Sequence, residues 1–410
     1  KVREVVDKVR TDGVLTTWDA VRSKLDSPLA LGYSNVGVVV DVGNGVRGFS
    51  PGDRVASNGV HAEVVSVSQN LCARVPDNVS DDSAAFTTIA SIALQGIRLA
   101  KPEAGESVAV IGLGLIGLIA VQLLRAQGCR VIGLDYSVDR LQVARTFGAE
   151  VINLGSVSDP VDQVVRFSRH GGVDAVLIAA STTSNSPVSQ AAHMARKRGR
   201  IVLIGVAGLE LSRADFFEKE LTFQVSCSYG PGRYDPNYEE KGNDYPVGFV
   251  RWTEQRNFEA VLDLMESGRI DVEPLISHRF RIENAKDAYD ALVNDPSALG
   301  LLLEYAEDAA PEDKTTITFK DYQHKPAGSS SRVGFVGAGN YSSRILMPAF
   351  ARAGGRIVGV ASAGGTSAAN CGKKFGFEFA TSNSVDIFDD DSISAVVKGT
   401  RLNSHARFVT

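Results

Sequence analysis

The sequence predicts an α/β protein: a small β-rich unit, then a doubly wound parallel sheet, then part of a second sheet of the same kind. Three observations lead there. Residues 107–135 carry a strand, a glycine turn, a helix and a second strand in one run. Strands and helices alternate from there to about residue 305, the rhythm of a parallel sheet. A further strand, glycine turn and helix begin at Arg332.

Length and composition set the bounds. The 410 residues suffice for two or three domains. Charged residues make up 22% and hydrophobic ones 44%, an ordinary soluble composition. A net charge of −5 carries no footprint for nucleic acid or an anionic membrane, and no apolar run is long enough to span a bilayer. Cys72, Cys129, Cys227 and Cys371 show no paired spacing, which predicts free thiols and a reducing, cytoplasmic location. The chain starts at Lys1 and reads as a fragment cut at both ends.

Residues 1–27 have helical spacing: Val2, Val5, Val6 and Val9, then after Gly13 a second stripe of Leu15, Trp18, Val21 and Leu25. From Gly37 the period becomes that of strands, with an Asn44-Gly45 turn after Val38–Val40. Further strands are expected into Val55, at His61–Val67 and at Leu71–Val75, then a helix over 82–100. Ser107–Ile111 is a continuous apolar run and therefore a buried strand. Helix 115–126 and strand 130–134 follow. The alternation then predicts helices at 138–148, 161–169 and 187–197, and strands at 151–154, 173–180, 200–205 and 221–226. Residues 228–246 form a loop dense in Gly, Pro, Tyr and charge. Helices 251–267 and 283–293 and strand 299–305 close this part. Residues 306–330 read as a linker with one short strand at 315–319. Beyond it come strand 332–336, helix 343–353, strand 356–361 and strand 393–397. The expected domains are a β-rich catalytic domain (1–100 with 246–308), a nucleotide-binding domain (101–245), a linker (309–330) and a partial second nucleotide-binding domain (331–410).

Gly112-Leu113-Gly114-Leu115-Ile116-Gly117 follows a strand and opens a helix, with Asp135 about 20 residues on, the context that gives G-x-G-x-x-G its meaning. Gly112 permits the turn, Gly114 lets the backbone approach a pyrophosphate, and Gly117 lets helix and strand pack. The helix N-terminus offers N–H groups and partial positive charge to phosphates. Asp135 stands where an acid binds ribose hydroxyls and favours NAD over NADP; Arg140 softens that preference. Tyr136, Gly205 and Val206 complete the expected cofactor set. In the second run, Gly337, Gly339 and Asn340 take the same place, with Ser342 as the third glycine's replacement. No acid ends its second strand, so NADP is open there through Ser362, Thr366 and Lys373, although Lys373-Lys374 also reads as a solvated helix face.

The stretches 37–55, 108–117 and 276–292 together resemble the medium-chain dehydrogenase/reductase superfamily, over about residues 28–305. The resemblance implies a GroES-like catalytic domain and a Rossmann domain. Residues 333–362 are similar to the nucleotide-binding half of the glucose–fructose oxidoreductase and inositol dehydrogenase family. Such a fusion resembles the bi-domain oxidoreductases of bacterial surface-sugar metabolism. The Glu-Lys-Pro stretch with that family's catalytic lysine is not in this chain, so the second unit is not expected to complete its own chemistry.

Where zinc-dependent relatives carry Gly-His-Glu, this chain has Gly32-Tyr33-Ser34, and only Cys72 falls in the region of the four-cysteine lobe. Phenol and hydroxyl are poor zinc ligands, so no catalytic metal is expected. Hydrogen-bond donors must then stabilise the reacting oxygen. The resemblance points to Tyr33, Ser34, Thr87 and Thr88; Tyr33 is the preferred proton donor, with His61 second. Thr87 and Thr88 have a second reading as helix residues bonding their own backbone. Tyr229, Arg233, Tyr234 and Lys241 could bind a polar or sugar-like substrate by stacking and charge, or form a lid or subunit contact. The expected activity is hydride transfer between NAD(P) and a carbonyl or alcohol carbon of a small molecule, with homo-oligomerisation open. A zinc-free quinone or enone reductase and a non-catalytic redox sensor are the alternatives.

Overall fold

Short alternating segments at the start of the chain and continuous apolar ones in its middle make two kinds of sheet. The protein is described here by a computed structural model covering residues 30–306, 315–319 and 331–400. The helix expected at 1–27 and most of the linker lie outside those residues. The chain divides into a unit of residues 31–308 and a second that includes 309–410.

In the first unit, Asn35–Val38 (β1), Arg54–Ser57 (β2) and Cys72–Arg74 (β3) form an antiparallel sheet. The expected strand at His61–Val67 is a series of bends, and the His61 N–H instead donates to the Leu31 carbonyl (2.7 Å). The single helix expected over 82–100 is two. Asp81–Ala84 (α1) is capped by the Ser80 hydroxyl, and Thr87–Ala100 (α2) follows. Phe86 N–H reaches back only three residues, to Ser83 (3.1 Å), which tightens the turn and breaks the helical ladder there.

Next come Ser107–Ile111 (β4), Leu115–Ala126 (α3), Arg130–Asp135 (β5), Val138–Thr146 (α4) and Glu150–Asn153 (β6). Pro160–Ser168 (α5), Val173–Ile178 (β7), Ser186–Met194 (α6), Ala195–Leu203 (β8), Arg213–Phe217 (α7) and Thr222–Val225 (β9) complete the alternation. The six strands are all parallel, in the order β6-β5-β4-β7-β8-β9. Residues 195–197, expected as the end of a helix, begin β8. Ala195 pairs with Val173, and Arg196 Nε bonds the Asp174 carboxylate at 2.6 Å, so pairing at the sheet overrides helical propensity. All five β4 residues are buried. Ile97, Leu118, Leu123, Phe258 and Leu262 belong to one core cluster, and Ile111, Val164, Phe167, Val188 and Met194 to another. Each such side chain contributes about 1.5–3 kcal/mol on burial.

Pro236–Glu239 (α8) is a short turn of helix in the 228–246 loop, and Glu254–Glu266 (α9) follows it. Ile276–Arg281 (β10), Ala285–Asn294 (α10) and Gly300–Glu304 (β11) end this unit, β10 and β11 pairing in parallel. Sequence reasoning missed β10, although Ile276-Ser277-His278-Arg279-Phe280-Arg281 alternates in burial as a strand does.

In the second unit, Thr316–Thr318 (β12) pairs antiparallel with Phe379–Thr381 (β15). Arg332–Val336 (β13), Arg356–Ala361 (β14) and Ala395–Lys398 (β16) run parallel, giving the order β12-β15-β14-β13-β16. The helix expected at 343–353 starts as a π-turn over Ser342–Leu346 and continues as Met347–Arg352 (α11). Thr366–Phe375 (α12) and Val385–Phe388 (α13) complete it. Phe335, Met347 and Phe377 are fully buried in its core.

Candidate active site

From β4 the chain passes to β5 on one side, and later to β7 on the other. Ligands of open α/β sheets bind at the carboxyl edge of such a reversal. The Gly112–Gly117 turn lies at this edge. Gly112 has φ +91°, and a Cβ on it would stand 2.6 Å from the Ala180 nitrogen. A Cβ on Gly117 would stand 2.0 Å from the Gly112 carbonyl oxygen. Those two glycines answer to the protein's own packing. Gly114 does not: a Cβ there meets nothing within 4 Å. It is also the N-cap of α3 and has no side-chain cap, so the Leu115, Ile116 and Gly117 N–H groups have no intrahelical acceptor.

Asp135 ends β5. Its carboxylate accepts from Leu113 N–H (2.7 Å) and Ser137 N–H (2.8 Å), which fixes the acid against the glycine turn. Leu113 is buried against Gly133, and Ile116 is half-buried at the start of α3. Tyr136 is largely exposed, and Arg140 lies in the first turn of α4. Gly205 and Val206 follow β8: a Cβ on Gly205 would stand 2.2 Å from the Ala180 carbonyl oxygen, to which Val206 N–H donates (3.0 Å). Within the first unit, the Gly112–Gly117 turn, Asp135, Gly205 and Val206 thus lie at one edge of the sheet. Open backbone at Gly114, free helix N–H groups and a held carboxylate fit a dinucleotide.

A cavity of about 540 Å³ adjoins this turn through Leu115. Tyr33, Ser34, Asn35 and His61 line one part of it, Tyr289 and Tyr305 another, and the rest is mainly Leu, Val, Ile and Phe. Tyr33 is half exposed. The Ser34 hydroxyl donates to the Ala85 carbonyl (2.6 Å). His61 Nε2 lies 2.5 Å from where a Gly32 Cβ would stand, so only glycine admits the ring; Tyr289 lies edge-on to it at 6.3 Å. Partial burial lowers the His61 pKa, because desolvation disfavours the charged imidazolium.

Thr87 and Thr88 do not line this cavity. Both are fully buried; the Thr87 hydroxyl donates to the Ala84 carbonyl (2.7 Å), within its own stretch of chain, and that of Thr88 to the Ser57 carbonyl of β2 (3.2 Å). Tyr305 is a lining residue that sequence reasoning missed; its buried hydroxyl has no hydrogen-bond partner, and burial raises its pKa. Among the described residues no three His, Cys, Asp or Glu side chains are grouped to hold a metal ion.

The 228–246 loop does not line the cavity either. Tyr229 is buried, and its hydroxyl accepts from Asn58 Nδ2 (3.1 Å). Arg233 donates through Nη1 to Glu239 and lies over the Tyr234 ring (4.2 Å). These two residues, expected to face a substrate, are instead held by protein partners, Tyr229 by Asn58 beyond β2 and Arg233 by Glu239 of the loop itself. Tyr234, at 70% exposure, and Lys241 face solvent. Asn70 Nδ2 donates to the Tyr238 carbonyl (2.9 Å) and Gln69 Nε2 to that of Gly242 (3.0 Å), tying the loop down. Beneath it lies Glu254, fully buried, with neither carboxyl oxygen hydrogen-bonded. Burial first, and the Glu239 charge second, push its pKa up to about 8 against the pull of Arg233.

In the second unit, Gly337 has φ +105°, and a Cβ there would stand 2.7 Å from the Gly399 backbone. Gly339 is as open as Gly114, and Asn340 beside it is exposed. Ser342, in place of the third glycine, is buried and donates to the Gly399 carbonyl (3.4 Å). At the end of β14, Ser362 and Ser367 share a hydroxyl hydrogen bond (2.6 Å).

Fold and site define a nucleotide-binding α/β protein with a β-rich domain beside its sheet. Residues 6–79 match the family described as alcohol dehydrogenase GroES-like domain, and residues 116–240 the one described as zinc-binding dehydrogenase. The (R,R)-butanediol dehydrogenase of Bacillus subtilis is 25% identical over 310 residues, 68% of this chain and 81% of its own. The D-guloside 3-dehydrogenase of Shigella flexneri is 29% identical over 281 residues, 66% of this chain and 75% of its own. The solved alcohol dehydrogenase of Thermus sp. ATN1 superposes with a TM-score of 0.57 at 26% identity, covering 68% of this chain and 86% of that one. Over these segments the chain is similar to zinc-type, alcohol dehydrogenase-like medium-chain dehydrogenases, which are oxidoreductases. No described helix is long and apolar enough to cross a membrane.

Proposed function

We propose that the protein is an NAD-linked oxidoreductase that works between a carbonyl and an alcohol carbon of a polar, sugar-like substrate without catalytic zinc. The observation that carries this reading is Gly114: an open backbone position between two glycines closed by packing, with the Asp135 carboxylate held beside it. The Gly112–Gly117 turn would hold the pyrophosphate and Asp135 the ribose. When bound, the nicotinamide supplies the hydride chemistry. Tyr33 exchanges a proton with the substrate oxygen, and His61 is second in line. The zinc-free part rests on the donors at Gly32–Asn35, a phenol, a hydroxyl and an amide, which are poor zinc ligands. The sugar-like substrate draws on the guloside relative. The second unit is proposed as a partial, inositol dehydrogenase-like nucleotide-binding domain open to NADP.

Calorimetric titration with NADH and with NADPH, reading stoichiometry, tests this. One NADH per chain, lost in Gly114→Val, supports the assignment; two equivalents would mean that the 337–342 turn also binds. No binding of either overturns the reading. A zinc-free quinone or enone reductase is the second reading, favoured by the mainly apolar lining of the cavity. A panel of quinones, enones and polyols separates the two. Metal analysis of the purified protein, with activity before and after chelation, tests the zinc assignment.

A further inference from the structure

One guanidinium and two carboxylates are packed together under the 228–245 loop. Arg233 is bonded to Glu239 through Nη1, while its Nε–H is buried and has no acceptor. Glu254 is fully buried, and neither of its oxygens has a donor. Its backbone N–H is bound to the Pro231 carbonyl (3.0 Å), and Oε2 lies 2.9 Å from where a Gly232 Cβ would stand. The carboxyl is therefore in close contact with the residue before Arg233. An orphan donor and an orphan acceptor buried in one place each carry a desolvation penalty that their union would remove.

We propose that Glu254 is a positioning residue for this loop, operated by its proton. With the proton on, the group is neutral and Arg233 stays with Glu239. With the proton off, two buried carboxylates compete for one guanidinium, and Arg233 turns its Nε toward Glu254. Because Arg233 sits between Gly232 and Tyr234, both at positive φ, that turn is transmitted to the loop backbone.

The surroundings leave few other groups to drive such a change. From the loop and α8, the charged groups acting on Glu254 are Arg233 and Glu239. Tyr229 and Tyr238 also lie within electrostatic reach, and burial holds both phenols above their ordinary range. From α2, Gln95 is neutral, and Arg98 is bonded to Asn257 (2.8 Å), itself a neutral residue of α9. Asn70 is neutral, and Asp244 is paired with Arg256. Glu254 is the acid in this group whose charge changes near neutrality.

Trp252, two residues before Glu254, lies between the Arg98 and Arg251 guanidinium groups (3.3 and 3.9 Å) and reports on this region. The experiment is its fluorescence between pH 6 and 10 in a Trp18→Phe background, with the rate of tryptic cleavage after Lys241, normalised to a peptide substrate at each pH. We expect one transition near pH 8 in both readouts. It vanishes in Glu254→Gln. In Glu239→Gln it moves down by about one pH unit or more, because a repelling charge goes and Arg233 is freed. No transition, or one unchanged in Glu254→Gln, overturns the proposal. If Glu254→Gln does not fold, an unmoved midpoint in Glu239→Gln overturns it by itself.

Discussion

Gly114 and Gly117 are three residues apart in one turn, yet replacing them should do opposite things. At Gly117 the added carbon would stand 2.0 Å from the Gly112 carbonyl oxygen, a backbone atom that cannot swing aside. Gly117→Ala should therefore cost about 1–3 kcal/mol of stability, as overpacking does, and lower the melting temperature by about 2–4 °C per kcal/mol. At Gly114 the space is empty and φ is −67°, which any residue adopts. Gly114→Val should cost only the cap preference, about 1 kcal/mol or less. Its effect falls on the ligand. A side chain there keeps a phosphate from the α3 N–H groups, and charge-assisted hydrogen bonds are worth about 1.5–3 kcal/mol each. Losing one or two weakens NADH binding by about tenfold or more. Differential scanning fluorimetry and calorimetric titration on both variants make the test. Unchanged NADH affinity in Gly114→Val, or a loss of stability there equal to that of Gly117→Ala, refutes the reasoning.

Asp135→Asn keeps an acceptor for the Leu113 and Ser137 N–H groups but removes the charge, so the ratio of NADPH to NADH affinity should rise about tenfold; titration with both dinucleotides checks it. Tyr33→Phe should lower turnover at least tenfold while leaving NADH affinity within about twofold, in steady-state assays on whichever substrate class the panel identifies. Glu254 binds its proton more tightly in the fold than in the unfolded chain, so stability should fall as pH rises from 4.5 toward 8 and level off above. Glu254→Gln removes that slope: urea melts should coincide near pH 4.5 and favour the variant by about 2–4 kcal/mol at pH 8.5.

The parts of the fold legible in the sequence are those whose pattern and packing agree. Strand β4 reads as buried because it is apolar throughout, and α3 begins and ends where Gly114 and Gly128 predict. Strand β8 was misplaced at its start because Ala195-Arg196-Lys197 has no strand pattern of its own; pairing with Val173 and the Asp174 ion pair extend it. His61–Val67 has the residues of a strand but no partner, and residue type alone does not supply one. In the candidate site, the glycine turn was legible from its place between a strand and a helix, and the nearness of Asp135 to it from spacing along the chain; that carboxylate accepts from the Leu113 N–H. Thr87 and Thr88 had two readings in the sequence, and only Thr87 bonds its own helix backbone, three residues back; the Thr88 hydroxyl meets a carbonyl 31 residues away, a partner that no local pattern announces. Glu254 was invisible because an acid at the first position of a helix is what the helix dipole favours at any surface. Only the loop folded over it makes it unusual.

That loop also separates the two enzyme readings. Its composition suggested a polar, cationic surface for a sugar-like substrate, but Tyr229 is bonded to Asn58 and Arg233 to Glu239. Recruiting Arg233 to a ligand means breaking a charge-assisted bond worth about 1.5–3 kcal/mol, so a ligand must return at least that much. Tyr234 and Lys241 require no such exchange, being already exposed. The cavity beside Leu115 presents the reverse case: mainly apolar walls, with the polar groups of Tyr33, Asn35, His61 and Tyr305 among them. Apolar walls with a few placed polar groups orient a ligand without fixing its class. A polyol placed there must satisfy each of its hydroxyls or leave it desolvated, and those few groups serve only a few. A substrate reduced or oxidised within this cavity should therefore bring one reactive oxygen to Tyr33 and His61, and hold its remaining polar groups outside, toward solvent.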